Sequence, residues 1–338
     1  MKDNELKLLH SNQRYVVLEM MRRGIKVELI DLKREIIRAT YGNHVEYILD
    51  RNSSIMPYST SVILGDKYLT KTLLKDAGYS VCDGCVFNAS QKETAIVYAS
   101  MLGYPVTLKP VYGSHGDEVY VNIENEAELR ELIDRPSLYG PFIVEKYFKG
   151  NEYRVFITKN GDCAVLHRDP AHIFGDGKST IKELVDAENL KREKRLNSLC
   201  PILLDDISLR FLKKCGLNLN YIPKEGQKVY LRDTSNVAKG GVCVNMTSKA
   251  HSSVIKICQN LLVTFGNLAY AGIDFMTEDI SKPQQNGTYS IIEVNTIPGV
   301  SMHMKPGIGK AENVPKMMVD LIFPETKEKN DERTIWSF

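Results

Sequence analysis

The stretch Tyr289-Ser-Ile-Ile-Glu-Val-Asn-Thr-Ile-Pro-Gly299 constrains this chain most. Side chains on a strand alternate between its faces, so Ile292 and Val294 are expected to enter a core while Glu293 and Asn295 share the opposite surface. Upstream, Ala271-Gly-Ile-Asp-Phe-Met276 reads as a second short apolar strand with one acid, and the polar break from Lys282 to Gly287 lets the two form a hairpin. Asp274, Glu293 and Asn295 then offer oxygen ligands only. That suits Mg²⁺, which fills the rest of its shell with water and nucleotide phosphates. A solvated hairpin face would carry the same acids, and a pattern this short does not decide between the two.

Composition removes several alternatives. The 338 residues suffice for two or three units with a large core. With 44 basic and 42 acidic residues the formal charge is +2, so no overall field draws the chain to nucleic acid or an anionic membrane. No apolar run approaches the length of a membrane span, and the polar start MKDNELKLLHSNQR lacks a signal peptide's apolar region, so a cytoplasmic protein is expected. Seven scattered cysteines fit a reducing compartment. Cys82-Asp-Gly-Cys85 has no second ligand pair and reads as a turn entering a strand.

The pattern divides the chain into a small N-terminal α/β unit over residues 1–65, a second unit over 66–148, a third over 149–325 and a polar tail over 326–338. Helices are expected from Asn12 to Arg23, Asp66 to Ala77 and Glu124 to Asp134, and from Val254 onwards, where Ile257, Cys258, Leu261, Leu262, Phe265 and Leu268 keep helical spacing. Strands are expected at Val106–Pro110, Phe142–Lys146, Glu152–Thr158 and Cys163–Arg168, the last two joined by the turn Asn160-Gly161. Residues from there to about Gly226 read as a long polar excursion, within which Asn189-Leu-Lys-Arg-Glu-Lys-Arg195 reads as a solvated helix face.

Three glycine turns are candidate phosphate cradles. Gly175-Asp-Gly-Lys-Ser-Thr180 fails as a P-loop, because His172 stands where the first glycine is needed; a helix-capping turn fits better. Gly113-Ser114-His115-Gly116 follows Lys109-Pro110, and its backbone N–H groups could approach an anion that Lys109 also attracts. Leu231-Arg232-Asp-Thr-Ser-Asn236-Val-Ala-Lys-Gly240-Gly241 leads from an arginine into a cationic turn.

Taken in order, Asp66-Lys67, Lys109-Pro110, the Gly113 to Gly116 turn, Val144-Glu-Lys-Tyr-Phe148 with Glu152, Arg232, Asp274 and Glu293-Val-Asn295 resemble the ATP-grasp superfamily. The likeness is closest to the ATP-grasp domain of bifunctional glutathione synthetases and to cyanophycin synthetase, which share versions of Arg168-Asp-Pro-Ala-His172-x-x-Gly-Asp-Gly177 and Leu231-Arg-Asp-x-x-Asn236-x-x-x-Gly-Gly241. It covers about residues 15 to 323. The resemblance implies an α/β (α+β) ATP-grasp fold, two α/β lobes clasping ATP after a small N-terminal domain. It further implies that Lys67, Lys109, Ser114, His115 and Gly116 contact phosphates, that Glu145, Lys146 and Phe148 read adenine, that Glu152 binds ribose and that Asp274, Glu293 and Asn295 hold Mg²⁺, with Mn²⁺ as a substitute. Arg232 would face the transferred phosphoryl group. Arg154, Arg168, His172, Asn236, Gly240 and Gly241 would shape the substrate site. D-alanine ligases of the superfamily carry an arginine two positions before the first metal aspartate; this chain has Gly272, so that role moves, on this reading to Arg232. The activity implied is a carboxylate-amine ligase working through an acyl phosphate on small amino-acid or peptide substrates, without nucleic acid or membrane, as a monomer or homodimer. A kinase passing phosphate to a small acceptor and a non-catalytic nucleotide-binding protein are the alternatives.

Overall fold

The computed structural model describes residues 1–111, 118–135, 140–194 and 199–327. Helices α1 (Asp3–Leu8) and α2 (Ser11–Arg22) precede a three-stranded antiparallel meander, β1 (Lys26–Asp31), β2 (Ile36–Tyr41) and β3 (His44–Leu49). Val16, Val17 and Met20 on α2 pack with Ile37 and Ile48, and the same cluster runs on to Phe156 and Tyr270. Polar clamps fix the junction. Asn12 Oδ1 accepts from the Val300 and Ser301 amides at 2.8 Å, the Tyr270 hydroxyl donates to the Arg51 carbonyl at 2.6 Å, and Arg23 meets Asp320 at 2.7 Å.

Helices α3 (Tyr58–Leu64) and α4 (Lys67–Asp76) follow. The Asp66 carboxylate starts α4 by accepting from the Tyr68 and Leu69 amides, which have no partner inside a helix. Leu64 and Leu74 join the central core rather than that of the next sheet. That sheet contains β4 (Gly84–Phe87), β5 (Val106–Pro110), β6 (Tyr120–Ile123) and β7 (Phe142–Lys146) in the order β4-β7-β5-β6, all antiparallel. Helices α5 (Lys92–Leu102) and α6 (Glu126–Ile133) cover it, and Ala95, Ile96, Ala99, Leu108, Leu129, Leu132, Phe142 and Val144 form its separate core.

After the connector at residues 147–150 the chain builds a larger antiparallel sheet from β8 (Asn151–Thr158) and β9 (Cys163–Asp169). The long polar excursion is a folded unit. It holds β10 (His172–Phe174), α7 (Ile181–Glu193), α8 (Asp206–Lys214) and β11 (Lys228–Tyr230) around a small core of Ala171, Ile173, Ile181, Val185, Ile202, Leu212, Val229 and Leu231. Thr180 and Glu183 make a reciprocal cap at the start of α7, so the Gly175 to Thr180 turn is the helix-capping turn expected. The charge run is largely the solvated face expected, with Lys191, Glu193 and Lys194 exposed, but one of its residues is not. Arg192 is buried, its Nη1 donating to the carbonyls of Cys200 at 2.7 Å and Gly240 at 2.8 Å.

The sheet is completed by β12 (Val242–Asn245), β13 (Tyr270–Thr277) and β14 (Tyr289–Asn295), in the order β12-β9-β8-β13-β14. Helix α9 (Ser252–Thr264) packs on one face through Val254, Cys258, Leu261 and Leu262. Helices α10 (Ser301–Met304) and α11 (Val314–Ile322) close the fold. The hairpin of β13 and β14 forms as expected, with one correction to its facing. A bulge lets Asp274 pair with Glu293 and Phe275 with Ile291, which puts Ile292 out of register. Ile291 takes the core place assigned to Ile292, and Ile292 stays half-buried. No helix among the described residues is long and apolar enough to cross a membrane.

Candidate active site

Register puts acids and bases side by side on one face of the large sheet. Asp274 lies opposite Glu293 on one side and opposite Arg154 on the other, and directly opposed strand residues point the same way. Arg154 Nε meets Asp274 Oδ1 at 3.0 Å, and Arg168 Nη1 reaches Asp274 Oδ2 at 3.4 Å and Glu152 Oε1 at 2.5 Å. The second oxygen of Glu152 accepts from the Ser235 hydroxyl. Asn295, oriented so that its amide is satisfied, accepts from Arg154 Nη1 at 2.7 Å and donates to Glu293 Oε1 at 3.1 Å.

The centre of this group is out of water, Arg154 being 7% and Asp274 5% exposed, while Glu152, Arg168, Glu293 and Asn295 are half-buried. Burial pushes the Asp274 carboxyl up to about 6, against the pull of Arg154 and Arg168. Removing charges from water costs several kcal/mol per ion, so a buried pair is not a cheap way to stabilise a sheet. Asp274 Oδ1 also accepts no hydrogen bond, because the 3.0 Å approach of Arg154 is off the donor line. An oxygen left open between a second carboxylate and an amide oxygen fits a hard cation. Among the described residues no three His, Cys, Asp or Glu side chains converge as a metal site. A cation held here would therefore draw the rest of its shell from water or phosphate oxygens.

Across from this face stands a cluster of amines. Lys109 Nζ donates to Glu145 Oε1 at 2.7 Å, and Lys71 pairs with the other oxygen of the same carboxylate. Burial would raise the Glu145 carboxyl, but Lys109 and Lys71 outweigh it and hold the group at about 2. Lys67, one turn before Lys71 at the start of α4, has its pKa lowered by burial and feels Glu293, Lys109 and Glu145 electrostatically. Three amines thus gather at the edge where the small sheet meets β14. Sequence reading missed Lys71, although its i, i+4 spacing from Lys67 on one helix was the available signal.

Several expected roles meet a different placement. Glu145 is locked between two lysines rather than free on the connector. Lys146 Nζ donates to the Gly103 carbonyl at 2.7 Å, and the Phe148 ring lies against Gly150, where an added Cβ would stand 3.0 Å from it. Arg232 is buried away from the carboxylates: its Nη2 donates to Asp205 Oδ1 at 2.8 Å, the Ser208 hydroxyl at 3.0 Å and the Leu203 carbonyl at 3.3 Å. Among the described residues these hydrogen bonds and the ion pair go to Leu203, Asp205 and Ser208 rather than to Asp274, Glu293 or Asn295. The place beside Gly272 belongs to Arg154. It donates to the Gly272 carbonyl at 3.2 Å, and a Cβ on Gly272 would come within 2.9 Å of Arg154 Nη1. Asn236, Gly240 and Gly241 form a tight turn. Asn236 Oδ1 accepts from the Ala238 amide, and Gly240 at φ +102° would press a Cβ 2.6 Å from Ile202 Cα. His172 sits on β10, its Nδ1 2.8 Å from the Pro170 carbonyl and its ring between Phe174 and Tyr230. The Gly113-Ser114-His115-Gly116 turn and residues 328–338 lie outside the described residues.

The arrangement of a four-stranded lobe and a five-stranded lobe, with lysines on one and an acid pair on the other, can be set against known proteins. No protein-family profile matches the chain. It is 37% identical over 266 residues to cyanophycin synthetase of Geminocystis herdmanii, covering 77% of this chain and 30% of that protein. It is 30% identical over 322 residues to the glutathione biosynthesis bifunctional protein GshAB of Pasteurella multocida, covering 92% of this chain and 42% of that protein. The crystal structure of a bifunctional glutathione synthetase from Pasteurella multocida superposes with a TM-score of 0.68 at 27% identity, over 94% of this chain and 44% of that one. The chain belongs to the ATP-grasp superfamily. Its fold is the ATP-grasp fold expected from the ordered motifs. It spans between 30% and 42% of the length of these two curated relatives.

Proposed function

We propose that the chain joins a carboxylate to an amine at the expense of ATP, on amino-acid or peptide substrates. The observation that carries this reading is the meeting of Lys67, Lys109 and Glu145 from one side with Glu293 from the other. Amines suited to a polyphosphate there face oxygens suited to the cation that accompanies one. Cyanophycin synthetase and the glutathione biosynthesis protein, similar over most of this chain, support the same class of chemistry.

In this reading Lys67, Lys71 and Lys109 hold phosphate oxygens, and Ser114, His115 and Gly116 are further phosphate contacts, as the family resemblance implies. Adenine lies along the connector by Glu145, Lys146 and Phe148, and ribose near Glu152. Asp274, Glu293 and Asn295 hold Mg²⁺, or Mn²⁺ in its place, which when bound neutralises charge on the phosphates. Arg154, lodged beside Gly272, takes the role expected of Arg232 and faces the transferred phosphoryl group, with Arg168 and His172 towards the acceptor. A substrate carboxylate oxygen attacks the γ-phosphorus and the bond to the bridging oxygen breaks, releasing ADP. The amine nitrogen then attacks the acyl carbon, inorganic phosphate leaves with its oxygen, and the nitrogen loses a proton. No protein nucleophile is required, so catalysis rests on positioning and charge. Seven cysteines with no disulfide among the described residues fit work in a reducing compartment such as the cytoplasm.

A screen of amino-acid pairs with Mg-ATP, read by ADP release and mass spectrometry, tests the reading. ADP that appears only when carboxylate and amine are both present, with a product lighter than their sum by one water, is the expected result. ADP release unaffected by any amine would sink it.

A further inference from the structure

His303 on α10 is completely buried, and among the described residues neither of its ring nitrogens has a hydrogen-bond partner. Its backbone is fixed on both sides: the His303 amide donates to the Val300 carbonyl at 3.0 Å and its own carbonyl accepts from the Glu312 amide at 2.9 Å. Asn12 secures the turn that enters this helix. The imidazole is thus held firmly in place with its polar atoms unused. An unpaired buried polar atom costs stability, and such atoms in a native fold call for a reason.

The surroundings supply one. The ring packs edge-on against Phe156, with centroids 6.2 Å apart. Phe156 follows Arg154 by two residues on β8 and pairs with Gly272, as Arg154 pairs with Asp274. One such step is about 7 Å along a strand, on the same face. Arg154 leans over Gly272, towards this step. Burial, then Arg154 and Arg168, push the His303 imidazole down to about 3, so it carries no proton of its own charge at neutral pH.

Arg154 and Arg168 give the site donors and positive charge in plenty. What they cannot give is a lone pair. An amine that attacks an acyl phosphate must arrive unprotonated, and two guanidinium groups repel its ammonium form. A neutral imidazole can hold an amine N–H without drawing a proton to it. Resting on the ligase reading above, we propose that His303 is a substrate-binding residue that accepts a hydrogen bond from the attacking amine.

The test uses His303→Phe and His303→Gln beside the wild-type chain, on the amino-acid pair giving the fastest ADP release. For His303→Phe the KM for the amine should rise about 10- to 100-fold, the loss of one buried hydrogen bond, while the KM for ATP moves less than about threefold. Its Tm should hold or increase, since two unpaired polar atoms leave the interior. His303→Gln, which keeps an acceptor, should recover part of the amine affinity. An unchanged amine KM in both variants overturns the proposal. So does a lower Tm with all kinetic constants falling together, which would make His303 structural. A wild-type chain inactive on every pair would instead defeat the ligase reading, and this proposal with it.

Discussion

Two buried arginines have different partners, and on the proposed reading different roles. Arg154 is buried against Asp274 and Asn295 on the sheet face, whereas Arg232 is tied to Asp205 and Ser208 at the start of α8. Arg154→Ala should lower kcat by roughly 10²–10³-fold, as for loss of one preorganised donor, and Lys should rescue only partly because a point charge lacks the planar fork. Arg232→Ala should instead cost about 1–3 kcal/mol of stability by stranding its acceptors, with kcat near normal in the fraction that stays folded. Steady-state kinetics beside thermal melts check both, and the reverse pattern would return the phosphoryl role to Arg232. Period-two alternation made the partnership of Glu293 and Asn295 legible, and the acid in Ala271-Gly-Ile-Asp274 pointed at the same face. The bulge that moved Ile292 was not legible, because nothing in an alternating run marks where an extra residue is left unpaired. Nor was the exchange between Arg232 and Arg154: sequence shows an arginine at a strand end but not which acceptors reach it first.

Helices α6 and α8 meet across the two lobes with opposite charges. Arg210 pairs with Glu131 and reaches Glu128 at 3.9 Å, Lys214 reaches Glu124 at 3.3 Å and Glu128 at 3.5 Å, and Arg135 reaches Asp206 at 3.7 Å. Pairs this exposed contribute about 0–1 kcal/mol each and weaken with salt. Reversing Arg210 and Lys214 together to Glu should therefore loosen the closed arrangement and raise the KM for ATP about 3- to 10-fold at low ionic strength, a difference that shrinks in about 0.5 M salt. An equal KM at low salt would show that this contact does not hold the lobes. Asp233 lines the same cleft, and burial pushes its carboxyl up to about 6. A folded-state value above the unfolded 3.8 means that ionisation costs stability, and the cost grows as pH rises through 6. Asp233→Asn should accordingly raise Tm at pH 7.5 and lose that advantage as pH falls towards 4; a gain that persists at pH 4 would contradict the sign. The elements that were read ahead lie close to where they form: Ser11–Arg22, Lys67–Asp76, Val106–Pro110, Phe142–Lys146, Asn151–Thr158, Cys163–Asp169 and Tyr270–Thr277 fall within one to three residues of expectation, whereas β6, β12 and α5 carried no signal that was read. The excursion after Arg168 could not be read ahead. Its strands are three residues each and its core comes from positions far apart in sequence, so no local period announces it.

At the scale of the whole molecule the chain is one continuous core, shared by the N-terminal meander and the large sheet, with the four-stranded lobe set apart on its own core. That division allows one lobe to move over a site fixed on the other, as closure around a nucleotide requires. The helix and first strand of the N-terminal unit were legible, but its sharing of the large sheet's core and its burial against α11 through Arg23 and Asp320 depend on contacts up to about 300 residues apart and could not be read locally. The central claim is that ATP is spent to activate a carboxylate, which distinguishes a ligase from a kinase on the same fold. Transfer of oxygen tests it most directly. With the carboxylate substrate labelled in both oxygens with ¹⁸O, turnover with Mg-ATP and the amine should place one labelled oxygen in the inorganic phosphate released, read by mass spectrometry. Unlabelled phosphate, or a phosphorylated acceptor that accumulates without an amide, would contradict the account.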